Sequence, residues 1–223
     1  AYHRYLAADG TVLASRRRRH HFTGYDALYR ALLGAFGRDR YHLGHEATGI
    51  ACGDDGCEVR FGDAEPVRCD LLVAADGVSS SARRALLPDV APRYSGYVAW
   101  RAVVDERRLS RATFAALDDS LTYYATHDGG TGTHALTYPI PHYDGSVEPG
   151  RRLMNLVWYR NVAAGEPLDD LLTDRAGTRR EVSVPPGAVR DEHLAELRAA
   201  AAANLPPVFA EVVDRSEAPF LQV

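Results

Sequence analysis

The chain has 223 residues and a formal net charge of −4 at pH 7, and its composition is typical of a globular protein. This acidic balance argues against nucleic-acid binding, since such domains usually carry a basic excess. The local exception is a basic run from Arg16 to Arg19 followed by His20 and His21, which we interpret as a solvated strand edge. No apolar stretch approaches the roughly 20 residues that span a bilayer. The sequence therefore predicts neither nucleic-acid nor membrane partners.

Two β-hairpins are predicted in the first 61 residues. Residues 2–7 and 11–15 read as strands around Gly10, because glycine supplies the positive φ of a tight turn. Residues 46–61 form the second hairpin, around a turn at residues 53–56 that is too polar and flexible for a strand.

A helix is predicted between these hairpins, over residues 25–36. Its apolar residues recur at helical spacing, and Gly37 offers the left-handed conformation that ends a helix. We expect the apolar stripe of this helix to belong to the core. The stripe consists of Leu28, Leu32, Ala35 and Phe36.

The three cysteines Cys52, Cys57 and Cys69 have neither the paired spacing of a zinc site nor the even number of a disulfide framework. The sequence therefore predicts reduced thiols and no metal site. Position 1 begins in polar sequence without a signal-peptide core, which favours a cytoplasmic protein. Because position 1 is not Met and residues 219–223 are largely apolar, we expect an internal fragment of a longer protein.

A strand, a tight turn and a helix are predicted around Asp76 and Gly77. Residues 71–75 are a short apolar run typical of a strand buried on both faces, and Ser80 can cap a helix that runs to about Leu87. Such a turn places backbone donors and a carboxylate where phosphates and ribose hydroxyls can bind. An ordinary turn, in which Asp76 only caps the helix, stays the alternative.

Beyond residue 92 the sequence predicts a separate antiparallel sheet, because its segments are rich in aromatic and β-branched residues. These segments are residues 94–104, 121–127, 133–140 and 153–159. A Pro-Pro-Gly sequence at 185–187 marks the exit from the sheet. A helix over residues 191–203 and a short one over residues 208–213 follow.

Residues 69–83 resemble the Asp-Gly fingerprint of single-component FAD-dependent aromatic hydroxylases, the family of para-hydroxybenzoate and salicylate hydroxylases. The match consists of the apolar run, Asp76, Gly77, Ser80 and Arg83. Further stretches look like the 2,6-dihydroxypyridine 3-monooxygenase branch, and they are residues 94–101, 138–141, 155–160 and 183–187. The resemblance implies that Asp76 and Gly77 bind the flavin, with Ser80 and Arg83 in support.

By this resemblance the parent protein hydroxylates a hydroxypyridine or phenolic ring with O2, using FAD and NAD(P)H, and a homodimer is compatible with it. The family opens with a strand, a GxGxxG turn and a helix, and no such motif appears here. A later Gly-Asp motif, expected soon after Gln222, is also absent. We therefore expect the chain alone to bind FAD poorly. Another flavin-fold oxidoreductase, such as an epoxidase or reductase, and a non-catalytic module that binds aromatic ligands stay open as alternatives.

The predicted fold is mixed α/β (α+β), with an incomplete FAD-binding Rossmann-like region and a mostly antiparallel substrate-binding sheet. Residues 1–92 are predicted to form the partial FAD-binding domain and residues 93–187 the sheet domain. Residues 188–223 are predicted to return to the FAD-binding domain as a helical segment.

The substrate side is predicted from strand alternation, which places His134 and Tyr138 on one face and Thr133 and Thr137 on the other. An imidazole and a phenol together can bind and deprotonate a hydroxylated ring, which makes the ring more electron-rich. The His-x-x-x-Tyr spacing before a proline also resembles substrate residues of hydroxynicotinate-type hydroxylases. Against this, a single strand histidine usually has a structural role. Arg101 is a second substrate-binding candidate, although a salt bridge at the sheet edge is favoured for it.

Overall fold

The computed structural model describes residues 1–128 and 131–223. It divides into two compact units, one of residues 1–29 and 94–223 and the other of residues 30–93. The sequence assigns residues 1–29 and 188–223 to a flavin-binding region, whereas the structure places both in the sheet unit. The reason is backbone pairing, because the strands that these two segments contain hydrogen-bond to strands of the sheet.

Strands and helices are numbered in chain order over the described residues. The strands are β1 (Tyr2–Leu6), β2 (Val12–Arg17), β3 (Gly49–Gly53), β4 (Gly56–Arg60), β5 (Val67–Cys69), β6 (Tyr97–Asp105), β7 (Ser120–Asp128), β8 (Thr131–Ile140), β9 (Leu153–Asn161), β10 (Ser183–Val184) and β11 (Phe220–Gln222). The α-helices are α1 (Tyr25–Phe36), α2 (Ser81–Leu86), α3 (Arg111–Leu117), α4 (Glu166–Leu171), α5 (Asp191–Asn204) and α6 (Pro207–Arg215). Both predicted hairpins and the helices α1, α2, α5 and α6 are confirmed, whereas β5, β10, β11, α3 and α4 were not predicted.

The sheet unit is built on one eight-stranded sheet with the order β10-β11-β6-β9-β8-β7-β1-β2. Neighbouring strands are antiparallel except β1 and β7, which are parallel. The mostly antiparallel sheet is thus confirmed, but it is not separate from the N-terminal hairpin. Strand β2 lies at the edge and is exposed throughout, in agreement with a solvated edge for Arg16 and Arg17.

Helices cover one face of this sheet, called here the helix-covered face. Side chains buried there include Val98, Trp100, Met154, Leu156, Phe209 and Val212. Because side chains alternate along a strand, the residues between these face the opposite side, called here the second face. The second face carries Ala99, Arg101 and Val103 of β6, Asn155, Val157 and Tyr159 of β9, His134, Leu136 and Tyr138 of β8, and Leu121 and Tyr123 of β7.

The smaller unit contains the three-stranded sheet β3-β4-β5. Cys52 and Cys57 are directly opposite each other on β3 and β4 and form a disulfide, with their Cα atoms 4.1 Å apart. The prediction of reduced thiols is therefore wrong for these two, because the hairpin turn brings together cysteines whose sequence spacing matches no framework. Cys69 is a free thiol on β5, opposite Cys57.

Two predictions of burial are wrong. In α1 the apolar stripe is exposed, with Leu28, Leu32 and Phe36 at least half accessible, since periodicity predicts an apolar face but not what covers it. Residues 71–75 are not a strand, and Leu71 and Val73 are 79% and 77% exposed. A buried strand needs hydrogen-bonded neighbours on both sides, and no described residue supplies them for this segment. Among the described residues, none of the helices combines the length and the apolar character that a membrane span requires.

Candidate functional site

His134 and Tyr138 both lie on the second face of the sheet, as strand alternation predicts. Ala135 and Thr137, which flank Leu136 between them, are fully buried on the helix-covered face. Thr137 is fixed there because its hydroxyl donates a hydrogen bond of 2.8 Å to the carbonyl oxygen of Asn155. Strand β8 has partners on both sides, so its register is held rigidly.

Each of the two predicted residues stacks on an aromatic ring. The imidazole of His134 stacks on Tyr159, its cross-strand partner, with ring centroids 4.3 Å apart. Tyr159 in turn contacts Tyr97 edge to face at 5.6 Å. Tyr138 stacks on Phe22 with ring centroids 5.6 Å apart. Phe22 belongs to the segment that precedes α1. Neither Tyr159 nor Phe22 was predicted from the sequence as a site residue.

An apolar floor lies between these rings. Val157 on β9 is paired with Leu136 on β8, two residues along each strand from the pair of Tyr159 and His134. Val157 is only 4% exposed. Arg101 is paired with Val157 from the other side, on β6. This part of the second face therefore has an apolar base with aromatic and polar groups around it, an arrangement that suits a flat ring with polar substituents.

Arg101 makes a hydrogen bond rather than the predicted salt bridge. Its Nε donates to Oε1 of Gln222 at 2.7 Å, and within the described residues it has no carboxylate partner at salt-bridge distance. The salt-bridge prediction failed because β11, which carries Gln222, was not predicted to pair with β6. The half-buried guanidinium thus lies on the second face with its charge uncompensated by an acid in the described chain.

Histidines within and just after the N-terminal hairpin extend this aromatic surface. His3 stacks on His20 at 4.5 Å and contacts Tyr123 at 6.0 Å. Burial, together with the nearby charges of His20 and Arg18, lowers the pKa of His3. Its Nε2 is buried and has no hydrogen-bond partner among the described residues. Sequence reasoning missed His3 because the parallel pairing of β1 with β7 joins segments more than 100 residues apart.

Asp76 and Ser80 together organise the start of α2. The carboxylate of Asp76 accepts hydrogen bonds from the hydroxyl of Ser81 at 3.2 Å and from the N–H of Ala82 at 3.1 Å. A hydrogen bond from the Ser80 side chain and the one from Ala82 hold the pKa of Asp76 well below its usual range. Ser80 is also the N-cap of α2 and accepts from the N–H of Arg83 at 2.9 Å. Capping is thus one role of Asp76.

Gly77 and Arg83 leave room and a donor for a ligand beside this cap. Gly77 has φ of +73°, and nothing lies within 4 Å of the position that a Cβ would take. The Nε of Arg83 is buried without a hydrogen-bond partner in the described chain. An unpaired donor, an anionic acceptor and an open backbone fit the phosphate and hydroxyl groups of a dinucleotide. The four residues therefore fit the flavin role that the resemblance implies, which stays a prediction.

A separate cleft of about 550 Å³ lies beside Trp158, Tyr124 and Thr133. These three side chains belong to the helix-covered face, as the hydrogen bond of 3.0 Å from Nε1 of Trp158 to the hydroxyl of Thr133 also indicates. The cleft is therefore on the other side of the sheet from His134 and Tyr138. Its lining offers no pair of acid–base groups, and we do not assign the predicted chemistry to it.

Comparison with known proteins identifies the class. Residues 94–223, more than half of the chain, match the family model described as FAD binding domain-like. The chain belongs to this family. It is 32% identical, over 91% of its length, to 2,6-dihydroxypyridine 3-monooxygenase of Paenarthrobacter nicotinovorans, and the match covers 49% of that relative. It is 36% identical, over 44% of its length, to a salicylate hydroxylase of Pseudomonas putida, covering 24% of that relative.

Solved structures give the same fold. The structure of 2,6-dihydroxypyridine-3-hydroxylase from Arthrobacter nicotinovorans matches with a TM-score of 0.88 and 29% identity, covering 100% of this chain and 55% of that one. HpxO of Klebsiella pneumoniae, complexed with FAD and uric acid, matches with a TM-score of 0.64 and 19% identity, covering 100% of this chain and 51% of that one. The chain thus spans about half the length of these relatives. The resemblance to FAD-dependent aromatic hydroxylases, and to the dihydroxypyridine branch, is confirmed.

Proposed function

We propose that this chain is the substrate-sheet part of an FAD- and NAD(P)H-dependent monooxygenase that hydroxylates a hydroxypyridine or phenolic ring with O2. The single observation that carries the proposal is the second face, where His134 and Tyr138 stand beside an apolar floor in a chain of this family. The similarity to 2,6-dihydroxypyridine 3-monooxygenase supports the class of substrate.

The residues of the chain would bind and prepare the ring. The ring would lie on Val157 and Leu136, with Tyr159 against one side, so that its apolar surface leaves water. His134 would take the proton of one ring hydroxyl, and Tyr138, four residues further along β8, would hold a second polar substituent of the ring by a hydrogen bond. Deprotonation makes the ring carbons more nucleophilic, which is what transfer of an electrophilic oxygen requires. The charge of Arg101 would stabilise the resulting anion.

The flavin belongs to the other half of the proposal. Bound FAD would supply the electrons of the nicotinamide and the activation of O2. Asp76, Gly77 and Arg83 would hold it, through the carboxylate, the open backbone and the unpaired Nε described above. Ser80 would act indirectly, because its hydroxyl accepts a hydrogen bond from the N–H of Arg83 and so caps the helix that carries this residue.

Coupling between nicotinamide oxidation and ring hydroxylation tests the proposed roles. In the FAD-loaded full-length monooxygenase, His134→Ala and Tyr138→Phe should still oxidise the nicotinamide, but most of the oxygen consumed should appear as hydrogen peroxide. The reason is that a poorly oriented, protonated ring reacts slowly. Thr137→Ser is the matched control. Thr137 lies on the same strand but on the opposite, helix-covered face, and serine keeps the hydroxyl that makes its hydrogen bond. Equal coupling in all three variants would remove both residues from the site.

A flavin titration of the purified chain separates the proposal from its alternatives. We expect essentially no FAD binding, because the sequence has no GxGxxG turn and the run before Asp76 is exposed. A stoichiometric complex would contradict this. The non-catalytic binding module is the better description if the chain binds an aromatic ring and the full-length protein also contains no FAD. If FAD is bound and reduced but no ring is hydroxylated, another flavin-fold oxidoreductase is favoured.

Two attributes of the parent protein are proposed with this function. A homodimer is compatible with the family resemblance, and sedimentation analysis of the full-length protein tests it. A cytoplasmic location suits an enzyme that consumes reduced nicotinamide, and fractionation of the source cells tests it.

A further inference from the structure

Asn155 occupies a central position on the second face that neither the sequence nor the comparisons assign to a function. Its neighbours along β9, Met154 and Leu156, point into the core on the helix-covered face. Asn155 therefore points to the other side, where it is directly opposite Tyr138 on β8 and Val103 on β6. Directly opposite side chains in an antiparallel pair are in contact range. The amide thus lies beside the predicted substrate-binding phenol.

The amide nitrogen of Asn155 is a buried donor without an acceptor. The residue is only 9% exposed, and its Nδ2 has no hydrogen-bond partner within the described chain. A buried unsatisfied donor lowers stability, whereas an apolar side chain of the same size would not. Val157, the next residue of β9 on this face, shows that an apolar residue fits the environment. The unpaired amide therefore needs an acceptor from outside the chain.

We propose that Asn155 is a substrate-binding residue that donates a hydrogen bond from Nδ2 to an oxygen on an aromatic ring lying on the second face. This inference rests on the proposed function. The partner is a ring hydroxylate or ring carbonyl, since both are strong acceptors and both occur in hydroxypyridines and phenolates. The position opposite Tyr138 means that one ring oxygen can be held by the phenol and the amide together.

The proposed role differs from that of His134. An amide does not titrate in the physiological range, so Asn155 selects and orients the ring without exchanging a proton. Loss of the amide should therefore weaken ring binding while His134 still accepts the ring proton. A structural role predicts the opposite pattern, in which ring binding is unchanged and the chain becomes less stable.

Calorimetric titration of the full 223-residue chain tests the inference, with 2,6-dihydroxypyridine and salicylate as probes. Asn155→Leu should raise the dissociation constant about 10-fold or more, the effect of losing a hydrogen bond to an anionic oxygen. Its melting temperature should be equal to or above that of the wild type, because an unpaired buried donor has been removed. Asn155→Ala removes the same amide without adding volume and serves if the leucine does not fit.

Asn161 provides the matched control. It is an asparagine of the same strand, but its Nδ2 already donates to the carbonyl oxygen of Gly132 at 3.1 Å. Asn161→Leu should leave the dissociation constant within about 2-fold of the wild type. If the wild type binds a probe and Asn155→Leu and Asn155→Ala bind it equally well, the inference is wrong while the proposed function stands. If the wild type binds neither probe, the proposed function fails and the inference fails with it.

Discussion

The buried ion pair between Glu106 and Arg152 should be the most sensitive polar interaction of the sheet unit. The side chain of Glu106 is fully buried and that of Arg152 is 12% exposed. Arg152 Nη2 donates to Glu106 at 2.8 Å and to Asp118 at 2.5 Å. The contact joins the end of β6 to the start of β9, the two strands that carry Arg101 and Asn155.

Arg152→Met should therefore lower the free energy of unfolding by about 3–5 kcal/mol, the usual effect of leaving a buried charge unpaired. The carboxylate of Glu106 would keep only the N–H donors of Gly150 and residue 152, which contact it at 2.8 and 3.1 Å. The double variant Glu106→Gln with Arg152→Met should recover part of this loss, because no buried charge remains.

Urea unfolding followed by circular dichroism measures the effect, provided that the dependence on denaturant is the same in all variants. Arg107→Met is the control, since Arg107 also pairs with a carboxylate, Asp105, but is 68% exposed. An exposed pair contributes at most about 1 kcal/mol. If Arg152→Met lowers the free energy of unfolding no more than Arg107→Met does, burial does not strengthen the pair of Glu106 and Arg152.

Three further predictions concern the flavin segment, the helices and the ring surface. In the FAD-loaded protein, Asp76→Ala should lower the ratio of flavin to protein absorbance severalfold. If the variant keeps a normal flavin content but melts at a lower temperature, Asp76 only caps the helix and does not bind flavin. Burial acts to raise the pKa of Glu211, but hydrogen bonds from Thr113 and Ser110 lower this pKa below its ordinary 4.5. The ionised carboxylate therefore stabilises the fold above pH 4.5, and this stabilisation is lost as the pH falls. Glu211→Gln should accordingly flatten the decrease in the free energy of unfolding between about pH 5 and 3. Tyr159→Ala should weaken 2,6-dihydroxypyridine binding about 10-fold by calorimetry, and unchanged affinity would exclude it from the ring surface.

Local patterns in the sequence were sufficient where a residue's role depends on its own segment. Alternation along β8 placed His134 and Tyr138 on one face, and Ser80 was correctly predicted as a helix cap. The helix α1 was found with both of its ends, since Gly37 supplies the left-handed backbone that terminates it. Each of these features is decided by residues within a few positions of each other.

Features that depend on distant partners could not be predicted. The exposed stripe of α1 and the unpaired run before Asp76 are both apolar, and apolar sequence does not say whether a covering element is present. The hydrogen bond of Arg101 to Gln222 requires pairing between strands about 120 residues apart. That Nδ2 of Asn155 has no partner among the described residues is likewise invisible in the sequence, because an asparagine in a strand gives no sign of which acceptor its amide protons find.

The parallel pairing of β1 with β7 also affects how the chain folds while it is being synthesised. Tyr2 lies beside Ser120 in the finished sheet, so the N-terminal hairpin leaves the ribosome before its partner strand exists. At 5–20 residues per second, the delay is roughly 6 to 24 s. During that time β1 exposes an unpaired edge, while its other edge is covered by β2 with Arg16 and Arg17, whose charges discourage pairing with other nascent chains. Translation speed between β1 and β7 should therefore influence the yield of folded protein.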